Sequence, residues 1–197
     1  MNKAVDTSKL IFIGGEAGVG KSTVSRQLQA VLGQVTQIDK DEVTAVLVNA
    51  LLMAYGCESS DRESVMYLRK VKPLEYQQLD NIVLNNTGND SMIITAPFFD
   101  AFLDDEWKGK MRQFGAEQNR EVHFLFLTRN AEDIHRGLMS RNAARDAWKL
   151  AHYNDYRRAT DNILKAISNV DDVKHIAFEK EIDTQSVLDG LVQKMQR

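Results

Sequence analysis

Eight consecutive residues near the N-terminus, Gly15-Glu16-Ala17-Gly18-Val19-Gly20-Lys21-Ser22, have the types and spacing to hold a phosphorylated ligand. They fit G-x-x-x-x-G-K-[ST] without a mismatch. Glycines let a main chain wrap close to phosphates with its N–H groups pointing inward. Lys21 is placed to reach the outer phosphates, and the Ser22 hydroxyl to ligate Mg²⁺. An apolar run precedes the segment and an amphipathic pattern follows it from Lys21, so a helix N-terminus adds its positive end at the same point. Gly15 to Thr23 are therefore candidate ATP-binding residues, with Lys21 also a candidate catalytic group and Ser22 a candidate metal ligand.

A second constellation is the acid pair of "VTQIDKDEV", Asp39 and Asp41. One such carboxylate can hold or orient Mg²⁺ while the other accepts a proton from an attacking hydroxyl. Asp41 could instead cap a helix, with Asp39 a solvated turn residue. The phosphate loop and a missing acid on the third strand favour the chemical role, and a GTPase is set aside on a separate motif. The third apolar run ends "IITAPFFD", with Thr95 where an ATPase motor carries its acid. "TRNAED" (128–133) does not match the base-reading Asn-Lys-x-Asp of a GTPase.

The elements that must carry these groups follow from apolar patterning. "LIFIG" (10–14), "MIIT" (92–95) and "VHFLFL" (122–127) suit strands covered on both faces, and "VTQI" (35–38) and "HIAF" (175–178) add two shorter ones. Helical spacing covers Lys21–Leu32, Asp41–Tyr55, Pro73 to about Asn86, Asp104–Asn119, Ala131–Asn142, Asp146–Ile167 and Asp183–Gln196. This alternation predicts an α/β fold, a doubly wound and mostly parallel five-stranded sheet between two helical layers, spanning 1–197 as one domain. Ligands of such folds sit beyond the carboxyl ends of the strands. Thr95, Pro97, Phe98 and Phe99 fall at that edge and are candidate acceptor-binding residues, although residues such as Phe98 and Phe99 more often belong to a core. Arg62, Arg69, Lys70 and Lys72 could attract an anionic acceptor, but Asp61, Glu63 and Glu75 interleave with them as on a solvated face.

With the phosphate loop, "IDKDEV" and the basic segment "TRNAEDIHRGLMSRNAARDAWKL", most of the chain resembles the small P-loop kinases. These include shikimate and gluconate kinases, chloramphenicol phosphotransferase, zeta-toxin-like kinases and polynucleotide 5′-kinases. The resemblance implies a P-loop NTPase three-layer fold with a helical lid, use of ATP and Mg²⁺, and transfer of a phosphoryl group to a hydroxyl of a small molecule. Shikimate-type enzymes place an Asp-x-Asp at the acceptor hydroxyl and the metal. Polynucleotide-kinase-like members favour Asp41 as the base, and chloramphenicol-phosphotransferase-like members favour Asp39. The preferred assignment is Asp41 as base and Asp39 on the metal side. Residues 53–86 take the place of the acceptor-binding helices and 136–150 that of the lid. Arg136 then falls on the adenine side, and Arg141 and Arg145, with Lys149 behind them, on the lid. Taken alone, this segment would suit a solvated basic helix.

Bulk properties narrow the partners. The chain has 197 residues, 43% hydrophobic, with a formal charge of −3 and a sequence pI of about 5.8. There is no general basic footprint for nucleic acid or an anionic membrane, so polynucleotide kinase activity is the less favoured alternative. A regulatory protein that binds ATP without transferring phosphate is another. "MNKAVDTSKL" lacks the apolar core of a secretory signal, and no run approaches the ~18 residues of a membrane span. One cysteine, Cys57, cannot form an internal disulfide, and a cytoplasmic location is expected. Four histidines and one cysteine give no metal-ligand spacing. Neither the acceptor nor the oligomeric state is legible.

Overall fold

A computed structural model describes residues 7–177 and Val187; apart from Val187, the helix expected over Asp183–Gln196 lies outside the described residues. Five parallel strands, β1 (Ser8–Gly15), β2 (Val35–Asp39), β3 (Ser91–Thr95), β4 (Arg120–Thr128) and β5 (Lys174–Ala177), form one sheet in the order β2-β3-β1-β4-β5. Central β1 pairs on both sides, Ile13 lying opposite Thr95 of β3 and Leu125 of β4.

Side chains of β1 alternate between two cores because successive residues of a strand point to opposite faces. Leu10 and Phe12 enter an aromatic layer with Phe98, Phe102, Phe124 and Phe126. Ile11 and Ile13 enter an aliphatic layer with Val24, Leu28, Ile134 and Leu138. Each of these side chains is buried, which contributes roughly 1.5–3 kcal/mol apiece for the larger apolar ones.

The helices are α1 (Lys21–Leu32), α2 (Lys40–Val43), α3 (Ala45–Ala54), α4 (Lys72–Leu84), α5 (Phe99–Leu103), α6 (Asp105–Glu117), α7 (Ala131–Arg141), α8 (Ala147–Ala151) and α9 (Tyr153–Ile167). The expected helix over Asp41–Tyr55 is two, broken at Thr44, whose hydroxyl donates back to the Lys40 carbonyl (2.6 Å) and across to Glu75 (2.9 Å). That over Asp146–Ile167 is likewise interrupted at His152, where φ −122 and ψ 39 leave the helical range. A π-helical turn at Tyr67–Val71, unforeseen in the sequence, leads into α4, and Pro73 occupies the first turn of α4, where its missing N–H costs nothing. No helix among the described residues is long and apolar enough to cross a membrane.

Candidate active site

The carboxyl ends of β1, β2 and β3 bring the chemical groups together. β1 runs directly into the phosphate loop, and α1 begins at Lys21. The loop takes backbone angles that favour glycine: Gly18 has φ +84 and lies against α7 so closely that a Cβ there would sit 2.8 Å from the Ile134 carbonyl oxygen. Gly137 of α7 answers it, since a Cβ on Gly137 would lie 2.4 Å from the Gly18 carbonyl oxygen. The Lys21 ammonium donates to the carbonyls of Gly15 and Glu16, both at 2.9 Å. Burial lowers its pKa to about 8, against the raising influence of Asp41 and Asp39. Within the loop, Glu16 is buried and accepts twice from Arg157 of α9, at 2.6 and 2.7 Å.

Asp39 ends β2 opposite Thr95 in the sheet register. Its Oδ1 accepts from the Asp41 N–H (2.9 Å), capping α2, and its Oδ2 accepts from the Thr95 hydroxyl (2.8 Å). Asp39, Thr95, Ser22 and Glu42 line one cleft. Its hydroxyl and carboxylate oxygens suit Mg²⁺, which prefers hard oxygen donors and keeps several waters beside one or two carboxylates. Among the described residues there is no cluster of three or more His, Cys, Asp or Glu to hold a metal by protein side chains alone. The residues present therefore fit a Mg²⁺ held jointly with phosphates.

Asp41 faces a different space. It lines a cavity of about 350 Å³ with Ala17, Pro97, Phe99, Tyr76, Arg141 and Arg145. Lys40 holds its Oδ1 at 2.9 Å and Arg145 its Oδ2 at 3.0 Å. Burial pushes the Asp41 carboxyl up, but Lys40, Arg145 and Lys21 outweigh it and bring the pKa down to about 2. Arg145 lies on a single 3₁₀ turn, Ala144–Asp146, between α7 and α8. Arg141 closes the C-terminal turn of α7 and donates from Nε to buried Asp146 at 2.7 Å. Lys149 lines the same cavity and pairs with Glu63 at 2.5 Å.

Other expected site residues fall elsewhere. Phe98 is fully buried, its ring 5.7 Å from that of Phe12 and 5.3 Å from that of Phe102. A left-handed φ of 52 at the start of α5 turns it into the core, so it is no cavity wall; its neighbour Phe99 is. Thr95 belongs to the Ser22–Asp39 cleft rather than to the Asp41 cavity. Arg136 pairs with Asp133 and is three-quarters exposed on α7. Sequence reasoning passed over Lys40, whose position between the two aspartates of "IDKD" was the available signal. It also passed over Tyr67 and Tyr76 as cavity residues and Arg157 as the partner of the loop carboxylate.

Comparison with known proteins agrees with this fold. The profile of the family described as "AAA domain" matches residues 10–168. No curated protein matches the chain. Among solved structures, a gluconokinase from Sinorhizobium meliloti 1021 superposes with a TM-score of 0.55 at 13% identity, covering 97% of this chain and 99% of the other. The tunicamycin resistance protein of Deinococcus radiodurans gives 0.54 at 16%, covering 96% of each chain. Shikimate kinase from Acinetobacter baumannii, solved with shikimate, gives 0.51 at 16%, covering 98% and 97%. At these identities the likeness is one of fold. With its family profile matched from the first strand to the end of α9, and nearly its whole length superposing on these structures, the chain belongs to the AAA domain family and has the fold of the small P-loop kinases.

Proposed function

We propose that this protein is an ATP- and Mg²⁺-dependent phosphotransferase that moves the γ-phosphoryl group of ATP to a hydroxyl of a small-molecule acceptor. One observation carries the reading: the two aspartates at the carboxyl end of β2 face two different spaces, Asp39 the cleft of Ser22 and Asp41 the cavity of Arg141 and Arg145. A motor or switch needs a metal-side acid but no second acid on a separate cavity. A volume of about 350 Å³ suits a modest organic molecule.

In this assignment Asp41 accepts a hydrogen bond from the acceptor hydroxyl and orients its oxygen toward the γ-phosphorus. The new O–P bond forms as the bond to the ADP oxygen breaks, and the hydroxyl proton passes to Asp41 and then to water. The low pKa of Asp41 is compatible with this, because a loose phosphoryl transition state releases the hydroxyl proton late. Lys21, Arg141 and Arg145 supply positive charge for the transferring group. Ser22 and Asp39 are the residues that hold Mg²⁺, which when bound neutralises phosphate charge.

The test is an acceptor screen following ADP release, with Lys21→Ala as the blank. Gluconate, shikimate and tunicamycin are the first acceptors to try, from the folds matched. Asp41→Asn is expected to lower acceptor-dependent turnover at unchanged ATP binding, whereas Asp39→Asn raises the Mg²⁺ requirement roughly 10–100-fold. Tight ATP binding without transfer to any metabolite, sugar, antibiotic or nucleoside would replace this reading with that of an ATP-dependent regulatory protein.

A further inference from the structure

Asp41 has two cationic partners, and they are held very differently. Arg145 reaches it from a single 3₁₀ turn, with about a third of its side chain exposed. Lys40 follows β2 directly, its side chain is 4% exposed, and its ammonium also meets Glu75 Oε1 at 2.6 Å. Glu75 is itself anchored: the Thr44 hydroxyl donates to Oε1 (2.9 Å) and the Tyr67 hydroxyl to Oε2 (2.7 Å). The Lys40 ammonium also stands 5.5 Å from the centroid of the Tyr76 ring. Lys40 is thus fixed by groups from α2, the π-helical turn and α4, while Arg145 makes one ion pair from a single short turn. A negatively charged phosphoryl group arriving at the cavity competes with Asp41 for Arg145; Glu75 keeps Lys40 where it is.

We propose that Lys40 is a positioning residue: its ammonium, anchored on Glu75, keeps the Asp41 carboxylate aimed into the acceptor cavity after Arg145 turns to the phosphates. The functional consequence rests on the phosphotransferase reading, but the positioning itself does not. Two tyrosines join the acceptor cavity to this anchor, Tyr67 through its hydroxyl and Tyr76 through its ring, and both line the cavity wall. An acceptor seated against them therefore packs on the same network that orients Asp41. A wholly structural ion pair would leave the Asp41 side chain ordered after its removal.

The experiment uses the labelled 197-residue chain without added ligand. Three-bond couplings of Asp41 Cγ to its backbone nitrogen and carbonyl carbon report the side-chain rotamer. A single rotamer is expected in the wild type and in Arg145→Gln, and rotamer averaging in Lys40→Met. Because Lys40→Met leaves the Glu75 carboxylate buried without its cation, the double variant Lys40→Met/Glu75→Gln is measured beside it; the new amide oxygen can accept from Thr44 while its nitrogen donates to the Tyr67 hydroxyl. Averaging is expected there too, with kcat for phosphoryl transfer about 100-fold lower and KM for ATP within about twofold of wild type, since the phosphate loop is untouched. A single Asp41 rotamer in the folded double variant overturns the assignment, as does averaging in Arg145→Gln with an ordered Asp41 in the double. A wild-type protein that binds ATP but phosphorylates nothing refutes the phosphotransferase reading instead, and the couplings still decide the role of Lys40.

Discussion

Arg145 and Asp41 form an ion pair at 3.0 Å that joins the turn after α7 to α2 beside the cavity both residues line. The segment expected to close over the phosphates is therefore held on the residue expected to meet the acceptor. Both side chains are about one-third exposed, so the pair itself adds little to stability. On the proposed phosphotransferase reading its importance lies in exchange: the guanidinium would leave Asp41 for the transferring phosphoryl group as the site fills. Arg145→Gln is expected to lower kcat about 10²–10³-fold while leaving the unfolding midpoint nearly unchanged. A loss confined to stability, with kcat intact, would show that Arg145 only tethers the turn.

Lys21 should make nucleotide affinity pH-dependent. Burial holds its pKa at about 8, below that of a free lysine. Its charge is present below pH 8 and lost as the pH rises through that value. Phosphate binding favours the charged form, so ATP bound above pH 8 must bring a proton with it. Calorimetry at pH 8.5 without Mg²⁺, in buffers of different ionisation enthalpy, is expected to show proton uptake that disappears at pH 6.5. Lys21→Arg, which stays charged, should show no uptake at either pH; equal uptake in that variant would assign the proton elsewhere.

Much of the scaffold was legible because it rests on local pattern. Leu10 to Ile13 are buried on both faces of the sheet, which is why an unbroken apolar run announced β1, and the phosphate loop needs a sequence that few other structures require. What stayed hidden depends on contacts between distant residues. The spacing from Asp41 to Tyr55 reads as one helix; its break at Thr44 arises because the Thr44 hydroxyl is drawn to Glu75 of α4. The π-helical turn at Tyr67–Val71 keeps ordinary helical composition and shows itself only in where Tyr67 meets Glu75. "FF" at 98–99 gave no hint of which ring turns inward, since the left-handed backbone at Phe98 decides it. The two aspartates and a division of roles between them were read from the sequence, but the bond that the Asp41 N–H donates to Asp39, which sets the two carboxylates apart, was not.

Gly137 offers a test of how α7 supports the phosphate loop. A Cβ at this position would lie 2.4 Å from the Gly18 carbonyl oxygen, and main chain cannot yield as a flexible side chain would. Gly137→Ala is expected to cost about 1–3 kcal/mol and to weaken ATP binding by displacing the loop. Gly109 in α6 has open space around its Cβ position, so Gly109→Ala should stabilise by about 0.5–1 kcal/mol through helix propensity alone. Urea unfolding of both variants checks the opposite signs, and titration with a fluorescent ATP analogue checks the loop. Normal affinity in Gly137→Ala would mean the helix, rather than the loop, gives way.

The Glu16–Arg157 pair ties the same loop to α9. Glu16 is 1% exposed as a side chain and Arg157 18%, and Arg157 is braced on its other side by Asp161 at 2.9 Å. Removing one partner of a buried pair strands the other's charge, at a cost of roughly 3–5 kcal/mol, whereas replacing both can be close to neutral. Arg157→Leu should therefore be markedly less stable than wild type, and Glu16→Leu/Arg157→Leu should recover most of the loss. Recovery of stability is not expected to restore ATP affinity, because the Glu16 carboxylate also fixes the path of the loop whose carbonyls receive Lys21. Measuring the unfolding midpoint and the ATP dissociation constant across this double-mutant cycle separates the two effects. Parallel recovery of both would show the pair to be a stability element without influence on the nucleotide.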